Sequence, residues 1–144
     1  AIYALARDKE VIKRKKVIIT PHAYEFFVLS GVRVGYDLNE RAELVKKTAN
    51  ELKATILLKG HVDVISDGER IAINKTGSPF MTKGGLGDTL AGICGAYIAR
   101  GLDTFTAACA AAFVNGKAGE LAAKKYGEGL LASDLVEEIP RVIS

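Results

Sequence analysis

Two short aliphatic runs constrain the fold of this chain most. Val17-Ile18-Ile19 and Thr55-Ile56-Leu57-Leu58 are too short for helices, and each ends in a breaker, Thr20-Pro21 and Lys59-Gly60 respectively. Both read as buried strands. Between them Asp37 and Glu40 form the pattern of a helix start, and Ala42, Leu44, Val45, Ala49 and Leu52 supply an apolar face. Strand, helix, strand is the unit from which layered α/β domains are built.

The rest of the chain extends that unit. Ile2, Leu5 and Ala6 give a short helix at the start, with its end near Ile12. Thr20, ahead of Pro21, is expected to cap a helix from His22 to Leu29 that Gly31 ends. Asp67-Gly68 between residues 62–66 and 70–74 predicts a hairpin. Apolar helices follow from Asp88 to Ala99 and from Asp103 to about Tyr126, and a last helix is expected to be capped by Ser133. The architecture expected is a mainly parallel sheet between helix layers, in one unit spanning residues 1–144 or the back half of a larger one.

Composition narrows the class. In 144 residues, 49% are hydrophobic and 26% charged, as in ordinary globular proteins, and the length suffices for one domain with a real core. The net charge of +3 is spread along the chain; the one dense basic run, Lys13 to Lys16, lacks interleaved aromatics and reads as a solvated helix end rather than a nucleic-acid patch. The longest nearly uncharged stretch, Thr104 to Gly116, is too short to cross a bilayer. Charges at Arg7 to Glu10 interrupt any signal-peptide-like run, so a cytoplasmic location is expected. Cys94 and Cys109, without metal-ligand spacing, read as buried reduced thiols.

The chemistry concentrates in Lys83-Gly84-Gly85-Leu86-Gly87-Asp88, just before an apolar helix. Glycine lets backbone N–H groups converge, and the start of a helix leaves such groups unpartnered at the positive end of its dipole. The product is an anion cradle, with Lys83 nearby. Asp88 would repel a bound phosphate, which suggests that it has a further role, taking a proton from a hydroxyl that attacks a phosphoryl group. The plainer alternative is a first-turn acid after a flexible turn. His22 with Glu25, and Lys59 with His61, stand at strand ends, where α/β enzymes place ligands. Lys59 could equally snorkel at the sheet edge. Asn115 is open to either a ligand-facing or a packing role, whereas Gly116 is expected to mark a close crossing.

The succession Thr20-Pro21-His22-x-x-Glu25, Leu58-Lys59-Gly60, Gly77-Ser78-Pro79-x-Met81 and Gly84-Gly85-x-Gly87-Asp88 resembles the NAD(P)H-hydrate dehydratases, as does Glu128 to Pro140. These ribokinase-like enzymes restore hydrated nicotinamide cofactors using ADP or ATP. The resemblance runs from about Val17 to Ile143 and implies a three-layer ribokinase-like α/β fold. It implies an anion hole at Gly84, Gly85 and Gly87, Asp88 as the base, and His22 with Asp88 at the hydrated dinucleotide. Lys59, Gly60, His61, Val62, Asp63 and Gly87 would line the adenine nucleotide. Mg²⁺ is implied with the nucleotide, the partner is a small-molecule substrate, and the family suggests a homo-oligomer, many of its members being tetramers. The chain departs from the family at Ala23-Tyr24, where Pro-Gly is frequent, and at Asp63 and Leu86, where Thr is frequent. Such domains usually run to nearly twice this length, so the chain reads as their C-terminal portion. Two other readings share the cradle: a small-molecule kinase of the same superfamily, and an inactive nucleotide-binding half that needs a partner chain.

Overall fold

The computed structural model describes residues 2–13 and 15–144. Ala1 and the Arg14 of the basic run lie outside the described residues. Four strands, β1 (Ile18–Ile19), β2 (Thr55–Leu58), β3 (Asp63–Ser66) and β4 (Ile71–Asn74), form one sheet in the order β1-β2-β3-β4. Helices α1 (Ile2–Arg7), α2 (Ala23–Ser30) and α3 (Leu38–Leu52) precede β2. Helices α4 (Leu86–Ala99), α5 (Thr104–Tyr126) and α6 (Ala132–Ile143) follow β4.

The layers follow from the alternation of side chains along each strand. Ile56, Leu58 and Val64 pack with Phe26, Leu29, Val45 and Ala49 of α2 and α3. Their neighbours Leu57 and Ile65 point the other way, onto Leu90 and Cys94 of α4 and Ala108, Ala111 and Ala112 of α5. All four residues of β2 are buried, as expected of a strand covered on both faces. A third cluster joins Leu86, Ala118, Ala122, Leu130 and Leu135, fixing α6 against α5 and the start of α4.

The expectation of a mainly parallel sheet is corrected for these strands. Only β1 and β2 pair parallel, Ile18 with Thr55 and Ile19 with Ile56; β2–β3 and β3–β4 are antiparallel. The cause is connection length. Four residues separate β2 from β3 and four separate β3 from β4, too few for the crossover that a parallel pair requires. Gly68, at φ +98°, makes the second turn, as the Asp67-Gly68 signal predicts.

Helix starts differ in instructive ways. Asp37 caps α3 through the Glu40 N–H at 2.8 Å, and Asp103 caps α5 through the Thr106 N–H at 3.2 Å. Helix α2 is capped by His22 rather than Thr20, because the Pro21 carbonyl is still accepting the Lys59 N–H at 2.8 Å, holding the chain extended beside β2. Helix α6 begins at Ala132, one residue before the expected cap Ser133, and Asp134 reaches back to accept the Leu131 N–H at 2.8 Å. Helix α4 begins two residues ahead of Asp88, with Gly85 at φ +87° as its N-cap. Neither cysteine is in a disulfide; burial pushes the Cys94 thiol up to about 11 and raises that of the half-buried Cys109. Among the described residues, no helix is long and apolar enough to cross a membrane.

Candidate active site

The ends of β1 and β2 open beside the start of α4, and a cleft of about 810 Å³ lies there. Its walls come from three places. His22, Lys59, Gly60, His61 and Asp63 form the strand-end side. Thr76, Pro79 and Met81 form a loop across it, and Gly87, Leu90, Ala112 and Asn115 close it from the two helices.

His22 and Glu25 cap each other. The His22 N–H donates to Glu25 Oε2 at 2.8 Å, and the Glu25 N–H donates to His22 Nδ1 at 3.3 Å. An accepting Nδ1 in neutral imidazole puts the ring proton on Nε2, which lies 3.5 Å from the same carboxylate. Lys59 Nζ lies 3.9 Å from Glu25 Oε2, so this carboxylate stands between the histidine and the lysine. The amine also reaches α4: a Cβ added to Gly87 would sit 3.3 Å from Lys59 Nζ. Gly87 thus lets the amine come close to the helix backbone and has no special φ; a side chain there would push the amine back by a few tenths of an ångström.

The start of α4 provides the open donors. The N–H groups of Asp88 and Thr89 both turn back to the Gly85 carbonyl, at 3.0 and 3.1 Å. Those of Leu86 and Gly87 have no acceptor among the described residues, as the first turn of a helix requires. Gly85 adopts its left-handed cap conformation against Ala132, which lies 3.1 Å from the Cβ it lacks.

Asp63 ties the strand-end wall together. Its Oδ1 accepts the Gly60 N–H at 3.0 Å, fixing the turn after Lys59, and its Oδ2 accepts Asn74 Nδ2 at 3.0 Å. Burial raises the Asp63 carboxyl above its ordinary value, while the bonds from Asn74 and Gly60 and the charges of Arg41 and Lys59 oppose that rise. Asn74 Oδ1 accepts the Thr76 hydroxyl at 2.8 Å, which carries the network into the loop. That loop rides on α5 where two glycines make room: a Cβ on Gly116 would collide with Thr76, and one on Gly119 with Met81. The Gly77 N–H donates to Glu120 at 3.0 Å and fastens it. Gly116 is thus a position of close packing, as expected, but against this loop rather than against another helix.

The structure brings together His22, Lys59, Gly60, His61, Asp63 and Gly87 from separate parts of the chain. Lys83 lines the same cleft. It does not place Gly84, Gly85, Val62 or Asp88 in the wall: the first two and Asp88 are exposed at the start of α4, and the Val62 carbonyl accepts Arg41 Nη2 at 3.0 Å. Sequence reasoning missed Thr76 and Thr89. Neither has a spacing signal, because what ties each to the site is α5, Thr76 against Gly116 and Thr89 beside Asn115.

The protein-family model described as NAD(P)H-hydrate dehydratase matches residues 1–141. The chain belongs to this family. It is 50% identical over 127 residues to the bifunctional NAD(P)H-hydrate repair enzyme Nnr of Pyrobaculum aerophilum, covering 88% of this chain and 25% of that protein. To the ADP-dependent (S)-NAD(P)H-hydrate dehydratase of Cenarchaeum symbiosum it is 46% identical over 132 residues, 92% of this chain and 46% of the relative. A solved ADP/ATP-dependent NAD(P)H-hydrate dehydratase from Bacillus subtilis, co-crystallised with ATP/Mg²⁺ and soaked with CoA, superposes with a TM-score of 0.81 at 36% identity. That match takes in 91% of this chain and 50% of the solved one. The chain thus has the ribokinase-like α/β fold of its family and spans a quarter to about half the length of the relatives it matches.

Proposed function

We propose that this chain carries the nucleotide side, and the catalytic carboxylate, of an enzyme that dehydrates hydrated NADH and NADPH at the expense of ADP or ATP. One observation carries the reading: the Lys59 amine stands against Gly87, beside the unpartnered N–H groups of Leu86 and Gly87. A side-chain cation and two backbone donors at a helix start form an electrostatic trap for a transferring phosphoryl group.

In this mechanism the substrate hydroxyl oxygen attacks the terminal phosphorus of the nucleotide, and the bond to the bridging oxygen breaks. Asp88, in the first turn of α4, accepts the hydroxyl proton. The phosphorylated hydrate then loses phosphate and a ring proton, which restores the dihydronicotinamide. Asp88 stands in solvent just beyond the cleft, so nucleotide and hydrated cofactor would approach the start of α4 from opposite sides. His22, its side chain 55% exposed, lines the cleft itself and would meet the dinucleotide where that cofactor reaches past the start of α4 into it.

Mg²⁺ would enter on the nucleotide phosphates. Among the described residues no three His, Cys, Asp or Glu gather into a metal-holding group, so this chain's part is to receive the charged complex. When bound, the ion would neutralise phosphate charge, as Lys59 and the α4 amides would also do.

The test is recovery of reduced-nicotinamide absorbance from hydrated NADH, with Mg²⁺ and either ADP or ATP. Recovery establishes the dehydratase and names its donor. Phosphate transfer to a sugar or vitamin hydroxyl, with no recovery, would replace the reading with the kinase one. Nucleotide binding with neither reaction would leave this chain as a binding half.

A further inference from the structure

Asn115 sits in the middle of α5 at 7% exposure and lines the same cleft. One atom of its amide lies 2.8 Å from the Thr89 hydroxyl oxygen, and that hydroxyl also lies 2.7 Å from the Leu86 carbonyl oxygen. A hydroxyl has one proton. The Leu86 carbonyl can only accept, so the proton goes there. An amide oxygen facing Thr89 would then meet another oxygen at 2.8 Å with no hydrogen between them. Both contacts are satisfied only if the Asn115 NH₂ donates to Thr89 and the amide oxygen takes the other position; the two ends of an amide are told apart by this kind of accounting.

The other end of the amide has no hydrogen-bond partner among the described residues. Among the described residues no fully buried side-chain nitrogen or oxygen lacks a hydrogen bond, so this end reaches solvent. Asn115 borders the nucleotide cleft and not the apolar groove on the far side of Thr89, so the solvent it reaches is that of the cleft. Leu86, Leu90, Ala112 and Met81 give the same cleft an apolar part of its wall, beside the polar and charged groups of the strand ends and the Thr76 loop. An apolar stretch of wall with one fixed acceptor suits an aromatic heterocycle that carries a donor.

We infer that Asn115, oriented by Thr89, is the residue that reads the nucleobase, accepting a hydrogen bond from the exocyclic amine of adenine. This rests on the nucleotide reading of the cleft proposed above. A base with an oxo group at that position would set two acceptors against each other and leave the Asn115 oxygen unpaired, which is the arrangement that rejects a ligand most strongly. Specificity would therefore come from α5, the side of the cleft opposite the strand-end segment Lys59 to Asp63.

The experiment is calorimetric titration of this chain with Mg²⁺-ADP and Mg²⁺-inosine diphosphate, whose base carries an oxo group in place of the exocyclic amine and an N1–H in place of the bare N1. The expected preference for ADP is about ten- to a hundredfold. Asn115→Leu should lower it to about threefold or less, chiefly by weakening ADP. Thr89→Val removes the orienting hydroxyl without entering the cleft, should narrow the preference as well, and serves if the first variant does not fold. Equal affinities in the parent chain, or an unchanged preference in the folded variants, would overturn the role of Asn115 while leaving nucleotide binding in place. Failure to bind either nucleotide would overturn the nucleotide reading itself, and the inference with it.

Discussion

Asp88 and Lys59 flank the same three-residue opening of α4 and should fail in different ways. Asp88→Asn keeps the shape of the helix start and removes the proposed base, so nucleotide binding should persist while absorbance recovery falls about a hundredfold or more. Single-turnover kinetics beside a binding isotherm separates the two. Lys59→Met removes a charge held between Glu25 and Gly87. Loss of a charge-assisted contact of about 1.5–3 kcal/mol should weaken nucleotide binding about ten- to a hundredfold, which titration would read directly. The sequence shows both residues plainly, since each stands beside glycine at an element boundary. It does not show that Glu25 serves two masters, the cap of α2 and the Lys59 amine. That depends on β1 and β2 being parallel neighbours.

Elements position the site through their ends and crossings. Gly116→Ala would place a methyl group 2.8 Å from the Thr76 carbonyl carbon, inside contact distance with backbone. Such overpacking should cost about 1–3 kcal/mol in urea unfolding and lift the loop off α5, with nucleotide affinity falling as well. The cap of α5 predicts a pH dependence. Bonds from the Thr106 hydroxyl and N–H, with the Arg70 guanidinium beside it, lower the Asp103 carboxyl from 3.8 to about 2. A carboxyl that is more acidic when folded stabilises above its unfolded value and loses that contribution as pH falls through the folded one. Asp103→Ala should therefore melt at a lower temperature than the parent at neutral pH, and the gap should close between pH 3.8 and about 2. A constant gap across thermal melts in that range would remove the ionised cap from the account. Arg70 also covers the Phe105 ring at 4.3 Å, which ties the β3–β4 turn to the start of α5.

At the scale of the molecule, the cleft joins parts contributed by nearly every layer. A nucleotide bound there should stabilise the whole fold, by about 2.7 kcal/mol at a concentration a hundred times its dissociation constant. Thermal melts with and without Mg²⁺-ADP would show this as a rise in melting temperature, and an unmoved transition would place the nucleotide elsewhere. The sheet ends at β1, a two-residue strand paired on one edge only, while α4 leaves Gly95, Ala91, Ala96 and Ala99 at least partly open to solvent. These features belong to a chain about half as long as the solved relative it matches.

What the sequence determined by itself was local. Aliphatic runs, capping residues and the Asp67-Gly68 turn each act within a few residues, and the strands and helices they specify lie within a residue or two of where the pattern puts them, although His22 rather than Thr20 caps α2 and α6 starts ahead of Ser133. The glycines before α4 announce an open helix start because glycine conformation is a property of the backbone at that point. The tertiary structure decided what lies far apart in the chain. It made the sheet mixed, since short connections left no room for a crossover. It capped α2 with His22, because Pro21 was already bonded to Lys59, and brought that lysine to Gly87. It also turned Asn115 from an ambiguous polar residue in an alanine-rich helix into an oriented acceptor. No periodicity carries that information; a single hydroxyl proton, shared out between two elements, does.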